Sequence, residues 1–170
     1  LPWMSYDSHG KLVEGRLATD RPHAFKFFGA YTLNSKLGET NFGPSFMLMS
    51  GTPITTQVDI NATTPVYVNG RGDMGRTPVF SQTDFLFYHE FKLPNSETKK
   101  LRFDSNITTL FNQSTVLDKY TSVLPQDFSG NVLTFDPPEA FFQGFDWRAL
   151  VDQEVEAGNL IKDPRYGRAS

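Results

Sequence analysis

The sequence predicts an all-β fold of antiparallel, up-and-down strands with at most short helices. Four segments alternate apolar and polar residues with period 2, turn-forming residues separate them, and the connectors alternate between short and long. Of the 170 residues 14% are aromatic and sixteen are Phe, yet mean hydropathy is only -0.38. Apolar side chains are therefore spread over many half-apolar segments, as one-faced strands require.

The first predicted strand, 24–33, reads "AFKFFGAYTL". Phe25, Phe27, Gly29, Tyr31 and Leu33 share one side, with Lys26, Phe28, Ala30 and Thr32 on the other. The second, 42–50, contains "FMLMS" and is apolar on both sides. In the third, 82–93, Phe85, Phe87, His89 and Phe91 alternate with Asp84, Leu86, Tyr88, Glu90 and Lys92. The fourth, 100–110, sets Leu101, Phe103 and Ile107 against Arg102, Asp104, Asn106 and Thr108.

Polar "NSKLGETN" joins the first pair, and Pro94 to Lys99 joins the second; both carry turn chemistry and imply hairpins. The other connectors, 51–81 and 111–170, are long and rich in Gly, Pro, Asn and Thr. Loops of that length are usually functional or disordered. Helical periodicity is confined to Trp147 to Ala157, with Asp146 placed to cap it. Short connectors at one end of an up-and-down sheet and long ones at the other are the form of outer-membrane β-barrels, so the expected fold is part of a transmembrane barrel.

A net charge of -3 and scattered basic residues exclude the electrostatic footprint of a nucleic-acid binder. The absence of Cys removes disulfides, thiolate catalysis and Cys-ligated metals. No apolar run approaches the roughly 20 residues of a membrane helix. Leu1 is no initiator and no signal segment follows it, so both ends are expected to be cuts through a longer polypeptide.

The ordered stretches "TDRPHAFKFFGAYTL" (19–33), "SGTPITTQV" (50–58), "NGRGDMGRTPVFSQTDFLFYHEFKL" (69–93) and "KKLRFDSNITTLFNQ" (99–113) resemble the C-terminal part of a TonB-dependent outer-membrane receptor. The type is Oar-like, with a carboxypeptidase-regulatory-like N-terminal domain. The resemblance covers most of residues 19–113 and, more loosely, the tail through Arg168. It implies a transporter in the outer membrane of a Gram-negative type bacterium, taking up an unidentified small solute. Its implied partners are outer-membrane lipid, the rest of the barrel with its N-terminal plug, and TonB reached through that plug. The plug, the TonB-contacting box and a closing strand with a terminal aromatic are not in this sequence. In that architecture Leu101, Phe103 and Ile107 would face lipid and Arg102, Asp104 and Asn106 a hydrated lumen, with Tyr31 and Phe91 in aromatic girdles.

Arg71-Gly72-Asp73 matches an adhesion tripeptide, but Gly70, Gly72 and Gly75 have a local reason as turn residues with positive φ. Polar loop residues often carry binding, which makes Arg71, Asp73 and Arg76 candidate ligand contacts at a barrel mouth. Trp147 joins them, at the end of an aromatic cluster with Phe141, Phe142 and Phe145 that otherwise packs its own loop shut. Asp20 and Arg21 form a candidate local ion pair. His9, His23 and His89 lack the converging donors of a metal site. Asp136, Glu139 and Asp146 are the carboxylates a glycosidase would need, in a segment that reads as a folded loop. No nucleophile elbow, phosphate loop or dinucleotide fingerprint occurs, so neither an enzyme nor a cofactor is expected. The rival expectation is a soluble secreted β-sandwich that binds carbohydrate or a surface partner, with its Phe faces buried under a second sheet.

Overall fold

The computed structural model describes residues 6–61, 64–93, 99–125 and 130–170. It is mostly antiparallel β-sheet with two short helices among the described residues. The chain divides into two compact units, one of Arg21–Ser50 with Pro78–Thr115, the other of Leu1–Asp20, Gly51–Thr77 and Val116–Ser170.

The first unit is a single open sheet. Its strands are β1 (Ala24–Phe28), β2 (Tyr31–Ser35), β3 (Gly38–Met49), and two more from the second half of the unit. Those two are numbered after a pair in the other unit: β4 (Val58–Ile60) and β5 (Thr64–Val66), then β6 (Phe80–Lys92) and β7 (Lys100–Ile107). Spatial order is β1/β2, β3, β6, β7, every neighbour antiparallel. The up-and-down order is the expected one; the sheet does not close on itself.

The expected strand 24–33 is interrupted at Gly29 and Ala30. Phe28 opposes Ser45 and Tyr31 opposes Phe42, so Gly29 opposes Pro44. Gly29 donates its N–H to the Pro44 carbonyl at 2.9 Å, but proline has no N–H to return. The ladder therefore lapses, and the register is the same on both sides of the lapse.

β3 begins earlier than the expected Phe42 because only Lys36 and Leu37 separate it from β2. Gly38 makes this tight reversal possible: φ is +147° there, and a Cβ would stand 1.9 Å from the Glu90 carbonyl oxygen. β6 starts two residues before the expected 82, and β7 stops at Ile107 rather than 110. Beyond it Thr109 and Asn112 adopt positive φ, and the Thr109 N–H turns to the Asp84 carboxylate at 2.9 Å. Of the second hairpin's connector, residues 94–98 lie outside the described set; Lys92 pairs with Lys100 across it.

Register settles which side chains share a face. Phe25 and Leu48, Phe27 and Phe46, Tyr31 and Phe42, Phe42 and Phe87, Phe85 and Ile107, Phe91 and Leu101 are direct cross-strand partners. All belong to one face, as the alternation expected. Phe42 meets the rings of Phe85 and Phe87 at 6.2 and 5.6 Å, and Phe87 meets Phe103 at 6.4 Å. The opposite face carries Lys26, Thr32, Glu39, Asn41, Tyr88, Glu90, Arg102 and Asp104, with Phe28, Met47 and Leu86 among them. There Arg102 stacks on Tyr88 at 4.0 Å and pairs with Asp104 and Glu90, while Lys100 pairs with Glu90 at 3.2 Å.

The apolar face is exposed along its outer strands. Phe25, Phe27, Tyr31, Leu101 and Phe103 each keep half or more of their surface exposed. Among the described residues, the buried hydrophobic ones all belong to the other unit.

That other unit is built from the two long connectors and the N-terminal segment, which carry a core instead of running as structureless loops. β4 and β5 pair with each other, and the flanking chain adds bridges Gln57 to Ser122 and Ile60 to Leu133. Val58, Ile60, Val66, Val68, Leu124 and Phe141 are fully buried among them. A 3-10 helix, Pro138–Gln143, leads into helix α1, Trp147–Glu156. Asp146 caps α1 as expected, its carboxylate accepting from the N–H groups of Arg148 and Ala149. Trp147 and Val151 are the residues α1 buries in this core.

Candidate functional site

The turn holding Arg71-Gly72-Asp73 is built as its glycines require. Gly70, Gly72 and Gly75 have φ of 81°, 76° and 82°, and the Gly75 N–H closes the turn on the Gly72 carbonyl at 3.0 Å. Gly72 also donates to Thr55 Oγ1 at 2.9 Å.

Asp73 lies on the exposed side of this turn, but its carboxylate faces the protein. Oδ1 accepts from the Thr56 N–H at 2.7 Å. Oδ2 accepts from Thr56 Oγ1 at 2.6 Å and from Asn69 Nδ2 at 2.8 Å. Thr56 is fully buried, and with its hydroxyl proton on Asp73 it accepts one from Tyr166 at 2.9 Å. Asn69 turns its oxygen to the Trp147 indole N–H at 2.9 Å. Two of the four sequence-predicted contacts, Asp73 and Trp147, are thus joined through Asn69. Buried polar groups need such partners, and each bond missing here would cost about 1–3 kcal/mol.

Arg71 and Arg76 lie apart from that pair. The Arg71 guanidinium sits 4.7 Å from the Tyr67 ring centroid. Arg76 donates to the Gly51 carbonyl at 2.6 Å and to the Asp20 carbonyl at 3.1 Å, and pairs with the Asp20 carboxylate. Asp20 also accepts from Arg16 at 3.1 Å. Hydrogen bonds from Arg76 first, then Arg16, hold the Asp20 carboxyl below its ordinary range. The local pair expected with Arg21 does not form: Arg21 donates to the Ser50 carbonyl at 2.8 Å.

Trp147 borders an open cleft of about 610 Å³ that also takes in His9, Asn69, Gln143, Phe145 and Arg148. Its wall is made where residues 8–10 meet residues 142–145. Phe145 donates its N–H to the Ser8 carbonyl at 2.7 Å, and Ser8 Oγ donates to the Val68 carbonyl at 2.6 Å. Gly10 allows the contact, since a Cβ there would come within 2.5 Å of the Phe142 carbonyl oxygen. Phe145 is backed by Phe135 and Phe141, with ring centroids at 4.8 and 5.5 Å. Arg148 lies over the Trp147 ring at 4.7 Å. Sequence reasoning missed Asn69, Gln143 and Arg148; Trp147, its aromatic neighbour Phe145 and the N-cap Asp146 pointed to the place.

A second cavity of about 390 Å³ is lined by Leu133, Phe135, Leu150 and Leu160, with Asp136 and Glu154 among its polar neighbours. Asp146 is taken up as the α1 cap, so the three carboxylates considered for glycoside chemistry hold different stations. Among the described residues no group of three or more His, Asp or Glu is placed to hold a metal ion. Near the C-terminal end, Arg165 hydrogen-bonds the Asp163 carboxylate and lowers its pKa from the ordinary value. No family model, curated protein or solved structure matches the chain.

Proposed function

We propose that this chain is part of the wall of a TonB-dependent outer-membrane transporter, and that its folded connector unit contacts the incoming solute. One observation carries the reading. An antiparallel sheet presents a face rich in Phe, Tyr and Leu, interrupted by Thr40, His89 and Ser105, with Phe25, Phe27, Tyr31, Leu101 and Phe103 half or more exposed; the reverse carries the charged and amide groups together with Phe28, Met47 and Leu86. A water-soluble sandwich would cover that face with a second sheet. In a barrel wall the apolar face meets lipid and the charged one meets a hydrated interior. Phe25 and Leu33 stand about 26 Å apart along their strand at about 3.3 Å per residue, which at the usual tilt of about 40° covers roughly 20 Å of the apolar band of such barrels, about 25 Å.

The two free edges, β1/β2 and β7, also fit this reading. In hydrocarbon each unpaired backbone group costs several kcal/mol. The strands would therefore act beside further strands of the complete barrel, around the plug that TonB pulls upon. The solute enters by binding and movement, without covalent chemistry at this chain.

Because the sequence has no Cys, a single introduced one can carry a unique spin label. Labels at Phe103 and Asp104 should behave oppositely in lipid: the first reached by dissolved oxygen, the second by a water-soluble nickel chelate. Equal access of the chelate to both sites, in protein that stays dispersed without detergent, would overturn the membrane assignment.

A further inference from the structure

We propose that the cleft beside Trp147 binds a neutral saccharide. This names the ligand class of the solute-contacting unit and rests on that half of the reading above.

The lining is the reason. The Gln143 amide makes no hydrogen bond, and the Arg148 guanidinium meets no carboxylate, among the described residues. His9 is exposed at the rim, its only carboxylate neighbour being Asp7 at 3.9 Å. Asp146 Oδ1 serves the helix cap and leaves Oδ2 open. These four groups offer donors and acceptors side by side, as a polyol requires, since each hydroxyl both donates and accepts. Phe145, held from behind by Phe135 and Phe141, supplies an apolar surface for the C–H side of a sugar ring.

Charge narrows the class further. Asp146 and Arg148 cancel, so neither a polyanion nor a polycation finds a matching field. A purely apolar ligand would strip water from Gln143, Arg148 and His9 without replacing it. The volume, about 610 Å³, lies within the usual span of small-molecule clefts. The site is also preformed: Gly10 packs against Phe142, and the Trp147 indole is pinned by Asn69, which Asp73 holds in turn.

The test uses the whole chain in detergent micelles and follows the Trp147 indole N–H resonance during titration with cellobiose, maltose and chitobiose. At least one should bind with Kd of about 1 mM or tighter. Gln143→Ala and Arg148→Ala should each weaken it about tenfold, roughly the worth of one hydrogen bond to a fixed group. Ile161→Ala, at an exposed residue outside the cleft, should leave it unchanged. The proposal fails if none of the three sugars moves the resonance, if both cleft variants bind as well as the parent, or if only glucuronate or glucosamine binds. The spin-label contrast at Phe103 and Asp104 reads the sheet alone, so failure of sugar binding and failure of the membrane assignment are separable.

Discussion

Phe141 in the connector unit is fully buried against Phe135, Phe142 and Phe145, whereas Phe103 in the sheet keeps 57% of its surface open. The same residue type serves two purposes. A buried Phe contributes about 1.5–3 kcal/mol to folding in water by leaving the solvent. Phe103, Phe25 and Phe27 forgo about half of that gain as the chain stands, and recover it only where something apolar meets their face. One unit carries its own core; the other supplies half of one and leaves the remainder to its surroundings.

The comparison can be broken at either side. Its largest expected effect is Phe141→Ala, which should cost about 3–5 kcal/mol and abolish a cooperative melt of the connector unit in denaturant titration. Phe87→Arg, in the middle of the apolar face, should cost about 2–4 kcal/mol for folding of the complete barrel into vesicles, while Asn106→Arg on the reverse face costs far less. If both arginines were tolerated equally in lipid, the two faces would not differ in their medium.

Smaller changes sharpen the account of the connector unit. Asp73→Ala leaves the Thr56 N–H without its acceptor and should lower stability by about 1–3 kcal/mol, measured by thermal denaturation. Full retention of stability would mean that the tripeptide is held some other way. The smallest effect is on acid stability. The Asp163 carboxyl, bonded by Arg165, has a folded pKa below its ordinary 3.8. Its contribution is complete above pH 3.8 and is lost as pH falls through the lower folded value. Asp163→Asn should flatten that part of the acid unfolding curve and change nothing at neutral pH beyond a constant offset.

The sheet was readable because its information is local. Alternation in Phe85, Phe87, His89 and Phe91 placed them on one side, and the register of β6 with β3 and β7 put the faces of three strands together as expected. The gap at Gly29 was not readable, because its cause is Pro44, opposite it in another strand. The connector unit was hidden for a different reason. β4 and β5 are three residues each, too short to establish a period, and their partners come from distant segments such as Leu133. The cap at Asp146 is a local signal and was found. The bond from Trp147 to Asn69 spans 78 positions and leaves no trace in either neighbourhood.

Because Pro44 removes a bond without adding a residue, Phe25 and Phe27 stay in phase with Tyr31 and Leu33 across the lapse. Parity along this edge is therefore carried by residue count alone at its weakest point. One extra amino acid between Gly29 and Ala30 would invert the upstream half, turning Lys26 toward the aromatic side and both phenylalanines toward the charged one. A length change of two would preserve the pattern, so this edge should admit even insertions and reject odd ones.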